Sequence, residues 1–411
     1  MEIKIVDTFL LLIIYITSLF SIAGYGKMTT FFLGDNKNNN LHELFFLGLP
    51  TLMILGFLNY LIIGYISYIN ILVLLFGLFY YFYIFGLNNF KFSSIKIPIL
   101  LFLGILISKT HEDFHLYHFQ HLNELVDGSL KFGMANLDSF ARYSYSSLFS
   151  YIQGFFYLPY FELKLFHVPI YLVFACLCSF LFDLQKHKID KRIKFLSISI
   201  FIFLVIKFTR LSEYGYDYIS QFVLIFIVFQ FLASTKKTNF ISGIYTISYF
   251  IFSIAIKITS IFFAPIIIYL LIKNNFYKNF YLKAKNNFKG IILACFIFLT
   301  ILGNSFLKTG CIFYGFQFTC FSESKLSWVV QYDNIKEHRE VAQKWAKGFY
   351  HTGTGSFQKE NPVEISDGMY AWVPFWIKNH FVNKIFDFII ILLLTFGLVF
   401  WLVENEFFSH I

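Results

Sequence analysis

Leu44-Phe-Phe-Leu-Gly-Leu-Pro-Thr-Leu-Met-Ile-Leu-Gly-Phe-Leu-Asn-Tyr-Leu-Ile-Ile-Gly-Tyr65 runs without a charged side chain for the length a helix needs to cross a bilayer. Its apolar residues are continuous rather than alternating, which selects a helix over a strand of a β-barrel. Similar runs lie near Ile5 to Ala23, Ser67 to Leu87, Ile95 to Ile107, Phe166 to Leu184, Phe195 to Lys207, Ile219 to Leu232, Phe240 to Ile256, Thr259 to Ile272, Gly290 to Phe306 and Lys384 to Trp401. The fold expected is all-α: a polytopic integral membrane protein with about ten or eleven spans, read as one membrane domain over 1–411. No small-residue cleavage site follows the first run at the usual distance, so it is read as a span rather than a cleavable leader.

Composition agrees. Of the 411 residues, 57% are hydrophobic and 14% charged, a balance that leaves too little polar surface for a water-soluble domain. The net charge of +9 would point a soluble protein toward nucleic acid. Here the basic residues sit mainly in short connections, so they set orientation and no nucleic-acid partner is expected. The segment from Gln185 to Lys194 carries Lys186, Lys188, Lys191, Arg192 and Lys194, and that from Lys273 to Lys289 carries five lysines; Lys236 and Lys237 mark a third. By the positive-inside rule all three face the cytoplasm. The loops 108–165, 210–218 and 307–380 then share the opposite side, and they hold 15 of the chain's 24 acidic residues.

Both long loops carry helical periodicity. From His115 to Leu130 the residues Leu116, Phe119, Leu122, Leu125 and Val126 recur at spacings of three and four, the pattern of an amphipathic helix at the membrane interface. Asn334 to Phe349 reads as a second helix. Cys311 and Cys320 lie close together in the second loop, where an oxidising compartment and a short closed loop favour a disulfide; Cys176, Cys178 and Cys295 lie in spans as packing residues.

The candidate chemistry gathers after the fourth span, in Lys109-Thr-His-Glu-Asp-Phe-His-Leu-Tyr-His118. Glu112 and Asp113 form an acidic pair at a helix exit, able to hold a divalent cation or to take a proton from an attacking hydroxyl. The alternative is an ordinary polar helix end. His111, His115, His118 and His121 recur at helical spacing, either as metal ligands or as interfacial hydrogen-bonding groups. Lys257 interrupts an apolar stretch at a turn, where it would meet an anionic phosphate or snorkel to the surface. Lys207 and Arg210 fit snorkelling, with Arg210 kept as a further phosphate contact.

His111-Glu-Asp-Phe-His-Leu-Tyr-His118, Gln120, Gly133-Met-Ala-Asn-Leu137, Arg142 and Ser146-Ser147 together resemble the first large outer loop of bacterial membrane glycosyltransferases with the GT-C fold. Asp217 before the seventh span, the Lys257-Ile-Thr-Ser260 turn and the Gly310-Cys311 to Thr319-Cys320 element followed by Leu326-Ser-Trp328 follow in the same order. The segment Asp138-Ser-Phe-Ala-Arg142 carries extra residues relative to that pattern. The resemblance implies an inverting glycosyltransferase in the bacterial cytoplasmic membrane. It would move a hexosyl or pentosyl unit from a polyprenyl-phosphate donor to a glycan or lipid acceptor on the outer face. Asp113 and Glu112 would serve as base or metal pair and His118 would orient them. Lys257, Arg142 and Arg210 would contact the donor phosphate, with Asn136 and Asp217 as further outer-loop candidates. The alternatives are an envelope polysaccharide polymerase or ligase, and a transporter without catalysis.

Overall fold

The computed structural model describes residues 5–34, 40–85, 92–106, 118–128, 130–137, 142–145, 147–186, 189–206, 216–234, 243–273, 288–314, 316–322, 324–330 and 370–382, with isolated positions 285, 336, 340, 343, 346, 347, 385, 389 and 393. Among the described residues the chain is all-α, its extended pairings being the isolated bridges Leu158–Glu162 and Cys311–Cys320. The chain forms two compact units, one of residues 1–134 and 142–308, the other of 135–141 and 309–411.

The first unit contains α1 (Ile5–Leu33), α2 (Leu41–Ile62), α3 (Ser67–Phe85), α4 (Lys96–Leu106), α5 (Phe119–Val126), α6 (Ser150–Gly154), α7 (Val168–Lys186), α8 (Lys191–Ile206), α9 (Asp217–Ser234), α10 (Gly243–Ile256), α11 (Ala264–Lys273) and all but the last residue of α12 (Phe288–Thr309). Five helices are long and apolar enough to cross a bilayer, at 7–33, 41–62, 67–84, 163–186 and 288–309, so this is a membrane protein. Shorter apolar helices occupy 96–106, 218–233, 246–256 and 258–272. The expected span from Lys384 to Trp401 and the helix from Asn334 to Phe349 lie, apart from isolated positions, outside the described residues.

Two boundaries differ from the sequence reading for identifiable reasons. The first run ends at Ala23 by hydropathy, yet α1 continues to Leu33. Its Gly-rich middle is a packing surface: a Cβ on Gly26 would strike the Leu44 carbonyl, and one on Gly48 would strike the Ile22 carbonyl. Small residues let helix backbones approach closely where lipid supplies no hydrophobic drive. The segment read as a span from Thr259 begins instead as a 3-10 turn, Ile258–Phe263, because Lys257 is extended (φ −148°, ψ 121°) and ends α10.

Polar contacts mark two ends of the first unit. At one end His42 Nε2 lies 3.4 Å from Asp183, which also takes Lys186 at 2.6 Å; Gln230 donates to Glu43 at 2.8 Å. α7 ends here at Lys186 and α8 begins at Lys191, and Gln185 donates to Lys194 O at 3.1 Å. At the other end Tyr160 donates to Asp7 at 3.0 Å, and Asn70 donates to the carbonyls of Gly154 (3.0 Å) and Tyr157 (2.8 Å).

The stretch 147–158, sequence-read as part of an outer loop, is core. Phe149, Tyr151, Ile152, Phe155 and Phe156 are fully buried among helix ends. Leu148 N donates to Ala255 O at 3.2 Å, and Tyr65 Oη bridges Gly56 O and Tyr151 O at 3.0 and 2.6 Å. The amphipathic segment is likewise shorter than expected and covered by protein: α5 buries His121, Leu122, Leu125 and Val126.

The second unit packs Ala135, Cys311 and Val330 together, with Tyr314 and Cys320 against them. Cys311 and Cys320 are joined by a disulfide. Gly310, at φ 70°, makes the turn into that hairpin, a left-handed backbone for which glycine is the default.

Candidate functional site

Lys308 sits one residue from the end of α12, 1% exposed, at the end of the first unit where Tyr60, Tyr65 and Tyr151 gather. The apolar face of α5 folds His121 onto it, with Lys308 Nζ 2.8 Å from His121 Nε2. Either nitrogen of this pair can donate, according to which imidazole tautomer is present. Burial first, then the charges of Lys308 and His118, hold His121 well below its usual pKa, so the ring is neutral at pH 7. Its Nδ1 is buried and has no hydrogen-bond partner among the described residues.

Tyr151 forms the floor. Lys308 Nζ stands 5.6 Å from its ring centroid, within cation–π range. Burial pushes the Tyr151 phenol well above its usual range, and the neutral hydroxyl donates to Asn304 Oδ1 at 2.8 Å. Asn304 and Lys308 are four residues apart and therefore on one face of α12.

Neighbouring segments are tied in by backbone. Gly133 N donates to Leu307 O at 2.8 Å, and Lys131 N to Tyr60 Oη at 3.0 Å. Lys131 Nζ contacts Glu124 and Asp127 at 2.5 and 2.8 Å. Tyr143 packs its ring 5.5 Å from His121 and donates to Gln120 Oε1 at 3.1 Å. Lys257 is linked to the cluster through the chain: Ala255, two residues before it, accepts from Leu148, three residues before Tyr151.

The sequence-predicted residues divide as follows. Glu112, Asp113, His111, His115 and Arg210 lie outside the described residues. Arg142 opens a short 3-10 turn, Arg142–Tyr145, and Asp217 begins α9, but their side chains lie outside the described set. His118 packs its ring edge-on to Tyr216 at 4.7 Å. Lys257 is half-buried at the start of its 3-10 turn. Asn136 is exposed in the second unit and donates to Trp328 O at 3.0 Å. Among the described residues no group of three or more His, Cys, Asp or Glu is arranged to hold a metal ion.

Lys308, Tyr151 and Asn304 were not singled out from sequence. The signal was present: Asn304-Ser-Phe-Leu-Lys308 places two polar groups one turn apart at the end of an apolar run. Ending the span at Phe306 made Lys308 read as an ordinary loop cation.

These features define an all-α membrane protein with a buried basic and aromatic cluster at one end of its bundle. The chain belongs to the family described as a domain of unknown function, DUF8201, whose model matches residues 8–410. No curated protein and no solved structure matches it significantly.

Proposed function

We propose that the chain is an inverting glycosyltransferase of the GT-C type, acting at the outer face of the bacterial cytoplasmic membrane on a polyprenyl-phosphate-linked sugar. The observation that carries this reading is the Lys308–His121 pair, a buried amine 2.8 Å from a neutral imidazole whose other ring nitrogen has no partner among the described residues, at one end of the bundle. Transfer from such a donor leaves a lipid phosphate, and stabilisation must be aimed where negative charge grows.

In the reaction, Asp113, aided by Glu112, takes the proton of the acceptor hydroxyl as its oxygen attacks the anomeric carbon. The bond from that carbon to the phosphate oxygen breaks, and its electron pair leaves on the lipid phosphate. Lys308, Lys257, Arg142 and Arg210 supply positive charge to that phosphate, and His121, in the tautomer that carries its proton on Nδ1, donates to one of its oxygens. His118 orients the acidic pair. Asn136 and Asp217 are further outer-loop candidates. No step needs a metal ion.

The buried ionisable groups also favour catalysis over transport. Among the described residues, buried His42, His121 and Lys308 lie near helix ends, whereas a transporter places polar binding groups near the bilayer midplane. The test is an envelope-glycan comparison of a deletion strain with its parent, complemented by wild type, Asp113→Asn or Lys308→Met. Wild type should restore the glycan and both variants should fail while remaining membrane-inserted. A polymerase or ligase would instead show full-length repeat units that are unjoined, and restoration by Asp113→Asn would remove the reading.

A further inference from the structure

We propose that the disulfide hairpin from Gly310 to Phe321 is a membrane-seated loop that lays Ile312, Phe313, Phe316, Phe318 and Phe321 into the headgroup and acyl boundary of a lipid leaflet. This inference is independent of the catalytic reading.

Four observations converge on it. The first is composition: from Thr309 to Ser322 there is no charged residue, although Lys308 precedes the stretch and Glu323 follows it. The second is exposure. Phe318 is 87% and Phe316 60% exposed, their rings are 5.9 Å apart, and Ile312, Phe313 and Phe321 are exposed beside them. The opposite side, Tyr314 with Cys311 and Cys320, packs on Ala135 and Val330, so the hairpin has one face in protein and one apolar face outward.

The third concerns the backbone. Ile312 N donates to Thr319 O at 3.0 Å, Phe321 N to Gly310 O at 3.1 Å, and Phe316 N to Phe313 O at 3.3 Å. Thr319 Oγ1 accepts from Phe313 N at 3.1 Å and lies 2.8 Å from the carbonyls of Phe313 and Phe316. Backbone groups that enter an apolar medium must find partners within the protein, and this hairpin supplies them for the N–H groups of Ile312, Phe313, Phe316, Thr319, Cys320 and Phe321. The fourth is connection. Thr309 closes α12, the helix at 288–309, and Gly310 opens the hairpin, so the loop follows in the chain directly on a helix apolar enough to span a bilayer. A contiguous apolar patch in water favours aggregation, whereas at a membrane interface it binds lipid.

The test replaces Phe318, and separately Phe316 and Tyr314, with photoreactive p-benzoylphenylalanine in the full chain. Each variant is reconstituted in nanodiscs of phosphatidylethanolamine and phosphatidylglycerol, irradiated, and its adducts identified by mass spectrometry. Lipid adducts should dominate at 318 and 316 and be severalfold rarer at 314, where the side chain faces protein. Adducts dominated at 318 by this chain or a second copy of it, or lipid labelling equal at 318 and 314, would overturn the proposal. The Cys311–Cys320 peptide under non-reducing conditions reports that the hairpin has formed; if the 318 variant lacks it, the 316 variant carries the test.

Discussion

Acidification should destabilise this protein through His121 in a way that one substitution removes. In the unfolded chain the imidazole titrates near 6.5; in the folded chain, burial and the Lys308 and His118 charges push it well below that. Below pH 6.5 the unfolded state therefore binds a proton that the folded state refuses, so stability falls as pH falls, by up to about 1.4 kcal/mol per pH unit. Between pH 6.5 and 5.5 the integrated loss from this one group is about 1 kcal/mol, and above 6.5 it vanishes. His121→Phe keeps a ring in the cavity and removes the titration. It leaves Lys308 Nζ without its imidazole partner, 2.8 Å away in the wild type, an offset of about 1 to 3 kcal/mol. Lys308→Met removes the second cause of the shift and should flatten the acid slope only in part. Unfolding in mixed micelles at a series of pH values between 7.5 and 5.5 reads the slopes directly. Equal acid slopes in the wild type and His121→Phe would refute the assignment of a buried neutral imidazole.

Gly26→Leu should prevent stable insertion of the α1 and α2 pair, because its Cβ alone would collide with the Leu44 carbonyl; recovery of monodisperse protein after detergent extraction checks it. Cys311→Ser should lower the stability of the second unit by about 3 kcal/mol from loop entropy, read as faster proteolysis within 310–322. In intact cells, Lys164→Cys should react with an impermeant thiol reagent and Arg192→Cys should not; the reverse pattern would invert the orientation. Lys257→Ala should raise the KM for a lipid-phosphate donor more than it lowers kcat, since its proposed contact is with phosphate present in the ground state as well.

The helical architecture could be read from sequence because a bilayer imposes one local rule, a long apolar run with its own hydrogen bonds, and α2, α3, α7 and α12 obey it. What escaped depends on tertiary packing. Hydropathy stopped α1 at Ala23 because Gly24, Gly26 and Lys27 dilute the average, yet those glycines are what bring α1 against its neighbours. The 147–158 segment reads as loop by its length and Ser and Gly content, and becomes core only because Tyr65, Gly56 and Ala255 receive it. His121 was visible as one histidine of four; that it folds onto Lys308 is a contact between residues 187 positions apart, which no local spacing encodes.

The central claim is tested most directly by sugar transfer from a synthetic polyprenyl-phosphate donor by the purified full-length protein in nanodiscs. The account predicts release of lipid phosphate and an inverted anomeric product. It predicts a fall of about 10² to 10⁴ in rate for Asp113→Asn and of about 10- to 100-fold for Lys308→Met, the worth of one charge-assisted contact of about 1.5 to 3 kcal/mol. A folded wild-type protein whose transfer rate from such a donor is matched by Asp113→Asn would contradict it.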